Sequence, residues 1–143
     1  MLTPEDFNHR SADFLPGLLG VTVTHVAERE LRAELAITRP LIATNGYLHA
    51  ASVIGLADTS AGYGCVANLP PEAVGFTTVE LKCNYVGTAR SGTIECVATA
   101  AHIGRTTQVW DATVVHRETG KTIALFRCTQ MVLYENEGKR GVG

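Results

Sequence analysis

Two residues that can exchange protons, His49 and Asp58, lie nine positions apart in the segment NGYLHAASVIGLADTSAG, which runs from Asn45 to Gly62. Most of that segment is small or apolar. A carboxylate set among Leu56, Ala57 and Ala61 is costly to bury unless it meets a polar partner, a solvent-lined cleft or a proton. In a cleft it can act as a general base or a nucleophile. On an α-helix nine residues turn through about 900° and rise roughly 13 Å, so the two side chains are expected on opposite sides, too far apart for a dyad within one chain. Either they are unrelated, or each joins a different copy of a site built from two chains, which makes a twofold dimer part of the chemistry. His49 falls near the start of the helix, where unpaired N–H groups and the helix dipole favour developing negative charge. An acyl carbonyl placed there would find an oxyanion hole. Spacing alone does not decide between this reading and two ordinary structural residues.

The elements that must position these groups follow from pattern. Residues 4–15 read as a short helix, with Thr3 as cap and Pro4 in the first turn, ended by Pro16-Gly17. LLGVTVTHVAE is rich in β-branched residues and reads as a strand. In LRAELAIT, Leu31, Ala33, Leu35 and Ile37 share one face while Arg32 and Glu34 take the other, a period of two. The gap at Arg29-Glu30 predicts a hairpin. From Leu48 to Val66 the chain favours a helix, apolar nearly all round and therefore buried. Asn68 and Pro70-Pro71 stop it. Four strand-like runs follow, VGFTTVELKCNYV, GTIECVATAAHI, RTTQVWDATVVHR and KTIALFRCTQMVLY, joined by GTARSG and by two tight turns at GR and ETGK. One helix too apolar to face water, with six strands to cover it, predicts an α+β domain in which a largely antiparallel sheet wraps a central helix. It spans residues 1–135, and the tail 136–143 is expected to be disordered.

Composition narrows the function classes. With 143 residues, 45% hydrophobic and 18% charged, the chain suits one ordinary soluble domain. A formal net charge of -2 gives no reason to expect nucleic acid or an anionic membrane as partner. No apolar run approaches the about 20 residues of a membrane span, and MLTPEDFNHR is not a secretory signal, so the expected location is the cytoplasm. Cys65, Cys83, Cys96 and Cys128 are dispersed and are expected to be reduced and buried. No HExxH or cysteine–histidine cluster has metal spacing, so no metal is expected. His102 and His116 sit in strand patterns and read as structural, and Trp110 as core or interface.

GYLHAASVIGLADTSAG resembles the G-x-x-H-G-G-x-x-x-x-x-x-D/E signature of hotdog-fold acyl-CoA thioesterases, in particular the phenylacetate-pathway type within the 4-hydroxybenzoyl-CoA thioesterase superfamily. The similarity extends over roughly residues 30 to 132, through TTVELKCNYVGTARSG and the later strands. It implies a hotdog fold, a homodimer or dimer of dimers, and hydrolysis of a small aromatic or medium-chain acyl-CoA to the free acid and coenzyme A. Coenzyme A would be part of the substrate, with no separate cofactor. Carried over residue by residue, the resemblance makes Asp58 the general base or nucleophile and the backbone N–H of Ala50 the oxyanion donor. His49 supports the thioester, Thr78 orients water or the carboxylate, and Asn45 is the loop amide, with Thr44 beside it. Arg90 and Arg105 fall in loops where the family binds the nucleotide.

The family writes His-Gly-Gly where this chain has His49-Ala50-Ala51. Alanine keeps the N–H, and the hole survives if φ at residue 50 is negative. Two other readings carry the same fold. One is an acyl-CoA-binding module without turnover, suggested by the two alanines. The other is a hotdog dehydratase or hydratase, whose H-F-P-G-like segment is not in this sequence.

Overall fold

A computed structural model describes residues 1–135; the expected tail at 136–143 lies outside them. The chain opens with α1 (Pro4–Ser11) and α2 (Leu15–Leu19), then the hairpin β1 (Val21–Ala27) and β2 (Glu30–Ala36). A 3-10 turn at Arg39–Leu41 leads into α3 (Ala50–Ala67). The strands β3 (Ala73–Tyr85), β4 (Thr93–Ile103), β5 (Thr107–His116) and β6 (Thr122–Tyr134) complete it. All six strands form one antiparallel sheet in the order β1-β2-β4-β5-β6-β3. The sheet curls so that every strand packs against α3. The expected α+β architecture is therefore the observed one.

α3 is capped at both ends by side chains. His49 is its N-cap, with Nδ1 accepting the Ala51 N–H at 2.9 Å. At the other end Asn68 donates to the Gly64 carbonyl at 2.8 Å, and its Oδ1 accepts the N–H of Arg29. Arg29 sits at φ 65 in the β1–β2 turn, so one amide ties the helix end to the hairpin. Val53, Leu56, Ala57, Ala61 and Cys65 are buried against the sheet.

The absence of a side chain at Gly64 is what lets Trp110, fully buried on β5, lie against the helix. A Cβ there would stand 2.7 Å from the indole. Trp110 cannot easily retreat, because its Nε1 donates to the buried Gln108 at 2.8 Å. Gly64→Ala is therefore expected to lower stability by about 1–3 kcal/mol despite alanine's better helix propensity. Urea denaturation checks this, and a variant as stable as the parent would refute it.

Three expectations need correction. The first helix does not run to residue 15: α1 ends at Ser11, and Pro16 occupies the first turn of α2, where its missing N–H costs nothing. Gly17 lets α2 fold back, since a Cβ there would lie 2.4 Å from the Ser11 carbonyl. Leu18–Gly20, expected as strand, finish α2, with Gly20 at φ 87 as its left-handed cap. Finally, the long helix begins at Ala50 rather than Leu48, because residues 41–49 are held as a loop clip by His49 N–H to Leu41 O and Leu48 N–H to Ala89 O. Of the cysteines, Cys65, Cys96 and Cys128 are buried while Cys83 is only partly so, and burial pushes the first three thiols up to about 12. Trp110 is core, as expected. His116 clips the strand ends, its ring nitrogens meeting Ser91 O and Thr119 Oγ1, each at 2.8 Å. His102 is exposed beside the register shift in β4.

Candidate active site

The N-terminal tip of α3 opens on a cavity of about 440 Å³ bordered by Asn45, Tyr47, His49, Ala50, Tyr85 and Thr88. Ala50 is the first helical residue, so its N–H has no carbonyl four residues back to bond. Its φ is negative, which places no strain on alanine where the related signature has glycine. The substitution thus keeps the donor. Tyr85 donates its hydroxyl to the Ala50 carbonyl at 3.0 Å, and burial pushes that phenol up to about 12, so it stays a donor. Sequence reasoning missed Tyr85; its strand pattern carries no sign of this contact. Asn45 serves the turn before the helix: its Oδ1 accepts the Tyr47 N–H at 3.1 Å, while Gly46 takes φ 88. Its amide NH2 makes no hydrogen bond among the described residues.

A second cavity, of about 460 Å³, lies on the outer side of α3. Asp58 borders it, and so does His49. The helical rotation put these two on opposite sides, and the structure corrects that. His49 is the N-cap, at φ -69 and ψ 138, so its ring is not placed by the helical period. The Ala51 N–H on Nδ1 makes Nε2 the protonated nitrogen of the neutral ring, a donor at the junction of the two cavities. Of these two cavities Ala50 borders the first and Asp58 the second. Asp58 Oδ1 is buried without a hydrogen-bond partner among the described residues, and loss of solvation raises the carboxyl above its ordinary 3.8. A buried carboxyl oxygen without a partner is costly and calls for a reason in the fold or in function.

Thr78 borders neither cavity. Its hydroxyl donates to Gln130 Oε1 at 2.7 Å, and the fully buried Gln130 donates to Cys128 Sγ at 3.4 Å. Burial first, and then the charge of Asp58, push up the Cys128 thiol. Gln130 was not anticipated, because a glutamine in alternating strand sequence reads as solvent-facing. Arg90 lies 4.3 Å from the centre of the ring of Tyr47, which borders the first cavity. Arg105 lies 5.3 Å from that of Tyr134, away from both cavities. Among the described residues no group of three or more histidine, cysteine, aspartate or glutamate side chains could hold a metal ion, and no helix is long and apolar enough to cross a membrane.

A helix gripped by one antiparallel sheet, with a lone carboxylate on the helix and a free N–H, that of Ala50, at its tip, defines a hotdog-fold thioester hydrolase. Residues 45–123 match the thioesterase superfamily, and the chain belongs to that family. It is 29% identical over 111 residues to a 1,4-dihydroxy-2-naphthoyl-CoA hydrolase of Listeria monocytogenes, covering 78% of this chain and 89% of that one. The crystal structure of a mutant thioesterase from Pseudomonas aeruginosa superposes with a TM-score of 0.88 at 25% identity, over 94% of this chain and 96% of the other. The PaaI protein from the phenylacetic acid degradation operon of Escherichia coli does so with a TM-score of 0.75 at 22% identity, over 82% and 83%.

Proposed function

We propose that this protein is a cytoplasmic acyl-CoA thioesterase that works as a homodimer or dimer of dimers, each site joining Asp58 of one chain to the Ala50 N–H of the other. The observation that carries this reading is the buried, unpartnered Asp58 Oδ1 on a largely apolar cavity. The ionised carboxylate takes a proton from water, or attacks the thioester carbon itself, while the carbonyl oxygen gathers charge at the Ala50 N–H and the helix tip. Collapse breaks the C–S bond and releases coenzyme A as its thiolate, which takes up a proton; the acid leaves after water has supplied its oxygen. His49 Nε2 and the Asn45 amide are donors toward the thioester end, and the Thr78 hydroxyl, its hydrogen committed to Gln130, is an acceptor for water. The similarity to a 1,4-dihydroxy-2-naphthoyl-CoA hydrolase supports a coenzyme A thioester as substrate, and within that class the proposed acyl group is small and aromatic or of medium chain length.

The dimer has support in the sheet. β3 is an edge strand of 13 residues, bonded on one side only to β6, and it exposes Val74 (64%) and Val79 (55%). A long apolar edge of this kind is a template for pairing with another chain. The four free thiols fit a reducing compartment.

The shared site is tested by mixing two inactive variants. Asp58→Asn and Ala50→Pro, each lacking one half of the chemistry, should regain part of the parent rate when co-expressed, because a heterodimer holds one intact site. Mixtures as inactive as their components would refute sharing. Turnover itself is read as thiol release from a panel of acyl-CoAs; binding of acyl-CoA without release would favour the non-catalytic module.

We propose Arg90, beside Tyr47 of the first cavity, as the residue that meets the phosphates of coenzyme A, with Arg105 as the second candidate. Arg90→Ala is expected to raise KM for acyl-CoA by roughly 10-fold, the value of one charge-assisted contact, while leaving KM for the matching N-acetylcysteamine thioester unchanged. An equal change in both would show that Arg90 does not bind the nucleotide.

A further inference from the structure

The cavity beside Asp58 is walled by Leu41 and Ile42 from the loop, Ile54 and Gly55 from α3, and Leu15 and Leu19 from α2. Its polar members are few, and the hydroxyl of one of them, Ser52, is already donated to the Leu41 carbonyl at 2.9 Å. Branched aliphatic side chains around one carboxylate suit an apolar group whose reactive end lies at Asp58. The wall most able to move is α2. It has five residues, none of them buried, and no side-chain cap. Gly20 ends it at φ 87. Its inner residue, Leu19, packs close to α3 at Gly55, where a Cβ would stand 2.6 Å from Leu19 Cδ1. That atom is the end of a flexible side chain. A methyl group at residue 55 would therefore turn Leu19 aside into the cavity rather than unfold the helix.

Building on the thioesterase reading, we infer that the contact between Gly55 and Leu19 sets the size of the acyl chamber, and so selects which acyl thioesters are bound and hydrolysed. Gly55 lets the leucine lie against the helix and leaves room for a ring-sized apolar acyl group. Leu19, carried on a helix from the start of the chain, is the movable limit of that room. Neither residue touches the scissile bond; both act through the shape offered to the acyl group.

The test uses the full chain and S-alkyl and S-aryl-alkyl coenzyme A thioethers, which bind but cannot be hydrolysed. Titration calorimetry compares the ethyl with the phenethyl thioether for the parent, Gly55→Ala, Leu19→Ala and the double variant. Gly55→Ala should weaken the phenethyl compound by roughly 10-fold or more, the order of one methylene in a close-fitting pocket, and leave the ethyl compound unaffected. Adding Leu19→Ala should restore the phenethyl affinity, because the displaced side chain is gone. Restoration by the second substitution is not expected of two independent losses of stability. Equal effects on both thioethers, or no recovery in the double variant, would overturn the inference. Because the thioethers report binding without turnover, that result is separate from a failure of thioester hydrolysis, which thiol release from the matching thioesters reports.

Discussion

Asp58→Asn is expected to reduce thioester hydrolysis by about 10²–10⁴-fold, the contribution of a positioned base, while making the folded protein more stable near neutral pH. Both effects come from the same oxygen. Asp58 Oδ1 is buried and has no hydrogen-bond partner, so the charged form is penalised and the carboxyl is raised above 3.8 by desolvation. The folded state therefore holds the proton over a pH window in which the unfolded chain has lost it. Stability falls as pH rises through that window, and the full penalty is present above the raised value. Asparagine removes the charge. The variant's advantage should be small near 3.8 and grow toward neutrality, where the parent carries the desolvated charge and the variant does not. Activity has the complementary sign: the ionised form is the active one, so kcat/KM of the parent should fall on the acid side at a pH above the ordinary carboxylate range. Thermal denaturation at two pH values and a pH–rate profile test the pair. A variant that is inactive but also less stable at neutral pH would assign Asp58 to the fold rather than to the chemistry.

Ala50→Pro should cost about 2.7–4 kcal/mol of transition-state stabilisation, or roughly 10²–10³-fold in kcat, with the fold unchanged. Proline removes the N–H at residue 50 and nothing else from the helix ladder, because the first helical N–H has no intrahelical acceptor. The residue before it is already suitable, since His49 at φ -69 and ψ 138 is in the extended region that proline requires of its predecessor. The cap bond from Ala51 N–H to His49 Nδ1 involves a different amide and survives. Ala50→Gly keeps the N–H and is the control, expected to retain activity. Circular dichroism and thermal melting establish that the proline variant folds. A folded proline variant with the parent kcat would place the oxyanion elsewhere.

α3 was legible in the sequence because a helix apolar on all sides can only be buried, and a buried helix needs strands around it. The strands were legible because residues such as Leu31, Ala33 and Leu35 alternate with charge. Asp58 could be picked out for a related reason: a carboxylate in that setting has a cost that local sequence already shows. The His-Ala-Ala departure could be seen, but its consequence depended on the backbone angle at Ala50, which the fold supplies.

The sequence by itself therefore determined which segments bury themselves, their order, and which carboxylate stands out, since those follow from hydrophobic period and from the cost of a buried charge. Only the tertiary structure decided that α1 and α2 are separate, that His49 turns toward the cavity of Asp58, that Tyr85 reaches the Ala50 carbonyl, and that Gly55 makes room for Leu19. Each of these joins residues from different elements, and periodicity within one element carries no record of what another brings against it.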